Sequence, residues 1–188
     1  MSMLHDRRAC CLIAAMCSIC PGLLHHVSAQ QAPPPTAAEA LPPECLADYV
    51  RHEVLGVPVM AHVDLLADAA LWQRTLIHLT ADLDEITHIL PAQAVMYLKR
   101  TTIWVELQGR VVPAGMRGRG KYFHPSEQWL TKHGILPQKA GGIEIANAND
   151  YLNWRRNQPY GLLHEFAHAW WFALPRDRRV PLADAFAA

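Results

Sequence analysis

The chain has 188 residues, which is enough for one ordinary domain with a hydrophobic core. Hydrophobic residues make up 51% of the chain, so material for that core is present. The 17 basic and 17 acidic residues give a net charge of zero. This balance argues against a nucleic-acid partner and against binding to an anionic membrane surface.

The N-terminus has the pattern of a secretory signal peptide. Residues 7–8 are arginines, residues 9–20 form an apolar segment, and residues 27–29 end in small side chains suited to cleavage. We therefore expect cleavage after Ala29 and a secreted or periplasmic protein with no stable membrane span. An uncleaved anchor is the alternative, although the apolar segment is short for a membrane span.

Residues 30–43 are rich in proline and alanine, which predicts an extended or disordered linker. The chain thus divides into a signal peptide (1–29), this linker and a folded domain (44–188). After cleavage Cys45 would be the only cysteine left, so no disulfide framework is expected.

The first half of the domain predicts a strand followed by a long helix. Residues 54–63 are β-rich, with Gly56 and Pro58 marking a bulge or an edge position. From Asp64, a plausible N-cap, apolar residues recur at three- and four-residue spacing until Pro91. That spacing is typical of an amphipathic helix.

A second strand and a short helix are predicted next. Residues 101–107 have strand composition, and residues 109–121 predict an irregular, Gly- and Arg-rich loop. This loop is expected to be solvated, although its arginines could favour acidic substrates. Ser126 can cap a short helix at 127–133, which Gly134 ends.

One further strand precedes the last two helices. Residues 143–146 alternate as a short strand, either an ordinary interior strand or the sheet edge that pairs with an extended peptide. Asn149 or Asp150 then starts a helix. Pro159 suits the first turn of the final helix, which we expect to run to about Leu174.

The final helix carries the sequence His164-Glu165-Phe166-Ala167-His168. Two helical residues four apart lie on one face, so both imidazoles can reach one metal ion, while Glu165 leans over the open side of that ion. The rest of the helix is almost entirely apolar, which predicts burial and therefore partners for its polar groups. The alternative is two core histidines, with Glu165 paired to Arg155 or Arg156.

This motif, continued by Ala169 and Trp170, resembles the active-site helix of the zincin metallopeptidases. The preceding residues 122–154 resemble secreted bacterial zincin-like proteins, which are distantly similar to the catalytic domain of anthrax lethal factor. The resemblance implies an α+β fold with a zincin-like N-terminal subdomain, in which a small mixed sheet packs on helices that include a buried active-site helix. It also implies that His164 and His168 bind zinc and that Glu165 is the general base.

The sequence does not specify which residue would be the third zinc ligand. The metzincin pattern is rejected, because Leu174 stands where its third histidine would be. Glutamate-ligand zincins take this ligand from a following helix, so we expect the chain to be truncated at the C-terminus, before that helix. The alternatives are Asp184, in a short C-terminal helix, or an upstream residue: His124, His133 or Glu144.

Two functions follow from these observations. The first is a secreted zinc-dependent metallopeptidase, which hydrolyses peptide or protein substrates through a zinc-activated water with Glu165 as general base. The second is a non-catalytic exported remnant of a zincin domain that lacks a complete metal site. The sequence specifies neither the substrate side chains nor the oligomeric state.

Overall fold

The structure is a computed structural model, and it describes residues 44–109, 120–175, 177 and 179. The predicted signal peptide and linker, residues 110–119 of the predicted loop, and Asp184 lie outside the described residues. The described part of the chain is an α+β fold with a five-stranded mixed sheet and six helices. The predicted α+β class is therefore confirmed, while the zincin-like subdomain stays a prediction.

The sheet contains two antiparallel pairs joined by a parallel centre. The strands are β1 (Tyr49–Val54), β2 (Val57–His62), β3 (Ile103–Val105), β4 (Lys121–Phe123) and β5 (Ile143–Ile145). Their order is β1-β2-β3-β5-β4, in which β2, β3 and β5 run parallel while β1 and β4 are antiparallel to their neighbours. Among the described strands, β1 and β4 are the two edges.

Of the two alternatives for residues 143–146, the interior strand is observed and the sheet edge is not. Strand β5 lies between β3 and β4, and all three of its residues are buried. The edge strand β4 instead begins at Lys121, which the sequence placed in a loop. The alternating pattern misled because Glu144, although charged, is 2% exposed and has buried partners.

Six helices cover the sheet in the described part of the chain. They are α1 (Val63–Ala67), α2 (Ala69–Ile89), α3 (Ala92–Leu98), α4 (Glu127–Lys132), α5 (Ala148–Trp154) and α6 (Gly161–Ala173). None of these described helices combines the length and apolar character that crossing a membrane requires.

The main hydrophobic core lies between one face of the sheet and the helices. Val59, Ile103 and Ile143 lie side by side across three strands and join this core, to which α6 contributes Leu162 and Phe166. The other face has a smaller cluster: Tyr49, Trp104 and Leu136. Because side chains alternate along a strand, each residue of β4 and β5 belongs to one face or the other.

The predicted helix start at Asp64 is wrong, and the single helix predicted there is two helices. His62 caps α1 by accepting from the Asp64 N–H at 3.2 Å, and Asp68 caps α2 by accepting from the Leu71 N–H at 2.9 Å. Asp64 therefore lies inside the first helix instead of capping it. The apolar spacing continues across Asp68, so the sequence pattern hides the break between the two helices.

The second half agrees better with the sequence. Ser126 caps α4, as predicted, by accepting from the Trp129 N–H at 3.2 Å. Helix α5 is capped by Asn147, two residues before the earlier of its predicted starts, because Asn147 accepts from the Asp150 N–H at 2.9 Å. Helix α6 begins at Gly161, just after Pro159, and ends one residue before Leu174.

The predicted bulge at Gly56 is instead a two-residue hairpin turn. Leu55 and Gly56 connect β1 to β2 with φ angles of 52° and 80°. Two positive φ angles are typical of a type I′ turn, which matches the twist of antiparallel strands. Leu55 carries a branched side chain in a conformation that costs most residues free energy.

Leu55→Asn is expected to raise the free energy of unfolding by about 1 kcal/mol, because asparagine tolerates the left-handed conformation. Leu46→Asn is the matched control, since Leu46 and Leu55 are both 45% exposed and Leu46 lies in a right-handed 3-10 turn. Urea denaturation of the two variants measures the difference. An equal change in both variants would show that Leu55 is not strained.

Candidate metal centre

Helix α6 has one buried face and one half-buried face. Leu162, Phe166 and Ala169 are at most 2% exposed and pack into the core, whereas the motif residues on the other face are half-buried. This division follows from the helical repeat of 3.6 residues. The Tyr97 hydroxyl of α3 donates to the Ala169 carbonyl at 3.2 Å, which fixes the second half of α6.

The two motif histidines converge. Their Nε2 atoms are 3.0 Å apart, and the ring planes are perpendicular with centroids 4.6 Å apart. Two nitrogens bound to one tetrahedral zinc ion at about 2.05 Å are separated by roughly 3.3 Å. His164 and His168 therefore fit a shared zinc ion after a shift of a few tenths of an ångström.

Both imidazoles have environments that favour the neutral form. Burial lowers the pKa of His164, and the charge of Lys121 lowers it further. Burial also lowers the pKa of His168, with a second contribution from His164. The neutral imidazole is the form that binds a metal ion, so the electrostatics agree with the geometry.

Glu165 is held by the edge strand. Its Oε2 accepts a hydrogen bond from the Phe123 N–H at 2.9 Å. Burial raises the pKa of Glu165 to about 7, despite the opposing effects of this hydrogen bond and of the Lys121 charge. The carboxyl group is therefore close to half-ionised at neutral pH and lies at the open side of β4.

The alternative role of Glu165, an ion pair with Arg155, is not observed. The Nε of Arg155 donates to both carboxylate oxygens of Asp82 at 2.9 Å, and its Nη1 lies 2.8 Å from His78 Nδ1. Arg155 thus links the end of α5 to α2, and the hydrogen-bond partner of Glu165 is the backbone of β4.

Two upstream ligand candidates lie on the other face of the sheet. The Phe123 ring contacts the Phe172 ring of α6 at a centroid distance of 5.3 Å, so the next residue, His124, points away from α6. There His124 Nε2 lies 2.5 Å from Glu144 Oε2, and both side chains are buried. The structure does not bring either residue to the two imidazoles.

The other candidates also stay apart from the histidine pair. His133 is exposed, stacks on the Trp129 ring at 4.1 Å and places its Nδ1 2.7 Å from the Trp129 carbonyl oxygen. Asp177 is exposed as well. Within the described residues, the only group of three close His, Cys, Asp or Glu ligand atoms lies elsewhere, at Glu44, Glu106 and Glu144.

A buried lysine occupies that acidic group. Lys139 is fully buried, and its Nζ donates to Glu106 and Glu144 at 2.8 Å and lies 3.1 Å from Glu44. Tyr49 adds a hydroxyl donor to Glu106 at 2.5 Å. The ammonium group stands where a cation would be bound, so the chain itself supplies one positive charge to this group of three carboxylates.

This group of buried polar residues was not predicted from the sequence. We call it the Lys139 cluster, and its members are Glu44, Tyr49, Glu106, His124, Lys139 and Glu144. Burial would lower the pKa of Lys139, but the surrounding carboxylates raise it, so the side chain stays charged. Burial raises the pKa of Glu106, whereas the pKa of Glu144 is lowered because His124 and Lys139 outweigh its burial. The sequence feature that could have indicated this cluster is Glu144, a charged residue between two isoleucines in a short strand.

Comparisons with known proteins returned no relative. No family model and no curated protein match the sequence, and no solved structure matches the fold. Function is therefore inferred from the described side chains.

Lys139→Met is expected to lower the free energy of unfolding by about 3–5 kcal/mol, because it leaves three buried carboxylates without their common cation. The matched control is Lys132→Met at an exposed position of α4. Its free energy of unfolding is expected to change by no more than about 0.5 kcal/mol. Urea denaturation near neutral pH measures both. A loss in Lys139→Met no larger than in the control would contradict the assigned role of the cluster.

The stability deficit of Lys139→Met is expected to shrink as the pH falls from about 7 to about 4.5. Lys139 lowers the pKa of both Glu106 and Glu144, so its removal lets burial raise the pKa of Glu106 further above the unfolded value of 4.5 and shifts the pKa of Glu144 upward. The folded variant then takes up protons on acidification and recovers stability. The wild type gains nothing at Glu144, whose stabilisation is lost as the pH falls through its lowered folded-state pKa. A deficit that grows toward acid pH would contradict this account.

Proposed function

We propose that this chain is a secreted zinc-dependent metallopeptidase with a zincin-like N-terminal subdomain. The observation that carries the proposal is the approach of His164 Nε2 to His168 Nε2, 3.0 Å apart on one helix, beside the Glu165 carboxylate. A small mixed sheet packed on helices, with α6 against β4 and β5, supports the zincin-like arrangement.

His164 and His168 would hold the zinc ion through their Nε2 atoms. Bound zinc would supply a Lewis acid that polarises a carbonyl group and lowers the pKa of a water molecule to near 7. The protein's part is to present two neutral imidazoles on a rigid, half-buried helix, and the packing of Leu162 and Phe166 provides that rigidity.

Glu165 is assigned the role of general base. A carboxyl group with a pKa of about 7 can accept a proton from water near neutral pH and return it to a leaving amine. The hydrogen bond from the Phe123 N–H fixes the position of the carboxylate beside β4. This backbone donor also couples the base to the strand that would bind substrate.

An extended peptide would bind along β4. This strand is an edge within the described sheet, and an edge strand offers unpaired backbone groups to a further strand. The Phe123 N–H already donates to the Glu165 carboxylate, so a peptide would pair with the other outward-facing backbone groups of β4 and would pass beside Glu165. We therefore propose peptides or proteins in extended conformation as substrates.

The second candidate function is a non-catalytic exported remnant of a zincin domain. It is favoured by the ligand count, since in the described residues no third His, Cys, Asp or Glu offers a ligand atom within 4.8 Å of both imidazoles. Two imidazoles alone bind zinc less tightly than the three or four protein ligands of usual zinc sites.

Zinc content separates the two functions. After dialysis against metal-free buffer, the purified protein is expected to keep about one zinc ion per chain, and His164→Ala and His168→Ala are expected to lose it. His133→Ala, at an exposed histidine, is the matched control and is expected to keep it. If the wild-type protein retains less than about a tenth of an equivalent of zinc, the result would favour the non-catalytic remnant over the metallopeptidase.

Glu165→Gln is expected to retain zinc and to lower peptide hydrolysis by about 10²- to 10⁴-fold, because the amide cannot accept the proton. Hydrolysis is measured on a mixture of unmodified peptides by mass spectrometry. Glu85→Gln changes an exposed glutamate of α2 and serves as the control. Full activity in a zinc-loaded Glu165→Gln protein would rule out Glu165 as the base.

A further inference from the structure

Lys121 of the edge strand reaches across to the first residue of α6. A Cβ atom placed on Gly161 would lie 2.6 Å from Lys121 Nζ and closer still to its Cε. The end of the lysine side chain therefore fills the space that any residue other than glycine would need. On its other side Lys121 Nζ lies 5.8 Å from the centroid of the Tyr151 ring.

This position is next to the candidate metal centre. Gly161 precedes His164 and Glu165 by three and four residues, so all three lie along one face of α6. Helical side chains lean toward the N-terminus of their helix, which directs the two motif side chains over the turn that contains Gly161. The Cα atom of Gly161, against which the ammonium group lies, is about one helical turn, roughly 5.4 Å along the axis, from the Cα atoms of those two residues.

Lys121 differs from the chain's other buried lysine in its partners. Lys139 contacts three carboxylates, whereas Lys121 forms no ion pair with any carboxylate among the described residues. Lys121 is also partly buried, so it has lost some of its hydration, and this burial lowers its pKa. Glu165 and Asp82 act on it only at longer range.

We propose that Lys121 binds a carboxylate group of the substrate, so that the centre prefers peptides with an acidic residue close to the scissile bond. This inference rests on the proposed peptidase function. Its geometry agrees with a peptide paired along β4, because one helical turn corresponds to one or two residues of extended chain at about 3.3 Å each. The charge-assisted hydrogen bond would act on substrate choice, apart from the proton transfer assigned to Glu165.

The first test compares paired peptides that carry Glu or Gln at each position flanking the cleaved bond. The wild type is expected to show about tenfold higher kcat/KM for the better Glu peptide than for its Gln partner. Lys121→Met is expected to abolish this ratio, Lys121→Arg to retain it, and Lys121→Glu to turn the preference toward a Lys peptide. Lys132→Glu, at an exposed position of α4, is the charge control.

The second test measures binding without catalysis. In Glu165→Gln protein without added zinc, calorimetry gives the dissociation constants of the same Glu and Gln peptides. The ratio of the Gln-peptide constant to the Glu-peptide constant is expected to fall about tenfold when Lys121→Met is added to this protein. It is expected to stay the same when Lys121→Arg is added. A purely structural role of Lys121 beside Tyr151 would leave this ratio unchanged and would overturn the inference.

The two proposals fail in different ways. If the wild type holds zinc and cleaves peptides with no preference for Glu, the inference about Lys121 is overturned while the peptidase proposal stands. If the wild type holds no zinc and cleaves no peptide, the proposed function fails, and equal binding of Glu and Gln peptides would then overturn the Lys121 inference as well.

Discussion

The buried ammonium group of Lys139 is the constraint on which the arrangement of the sheet depends. It binds Glu106 after β3 and Glu144 in the middle of β5, and Glu144 in turn binds His124 directly after β4. The next residue back, Phe123, donates its N–H to Glu165 of α6. A continuous set of polar contacts thus links a structural charge on one face of the sheet to the candidate base on the other.

Strand alternation separates structural charge from candidate functional charge. Along β4, Lys121 and Phe123 face α6, whereas His124 continues toward the Lys139 cluster. Glu144 of β5 and Glu165 of α6 have opposite environments. Glu144 has charged partners that lower its pKa, and Glu165 has only a backbone donor and distant Lys121 to offset its burial. The first environment suits a permanent ion pair and the second suits proton exchange.

The sequence predicted the parts whose signals are local. The HExxH helix and the Ser126 cap rest on spacing and capping chemistry, which act within a few residues, whereas the α+β class followed from the family resemblance. Strand β4 was missed because its three residues gain strand structure only by pairing with β5 and packing on α6. Lys139 was missed because a lysine in a turn-like segment, two residues from both Pro137 and Gly141, is usually solvated, and only the fold brings Glu44 and Glu106 to it.

Zinc K-edge X-ray absorption of the metal-loaded protein tests the central claim most directly, because it reports the atoms bound to zinc. The account predicts nitrogen ligands at about 2.0 Å with the multiple scattering of two imidazole rings, and loss of that signal in a His164→Ala, His168→Ala double variant. A zinc spectrum without imidazole scattering, or one that the double variant leaves unchanged, would contradict the assignment of this metal centre.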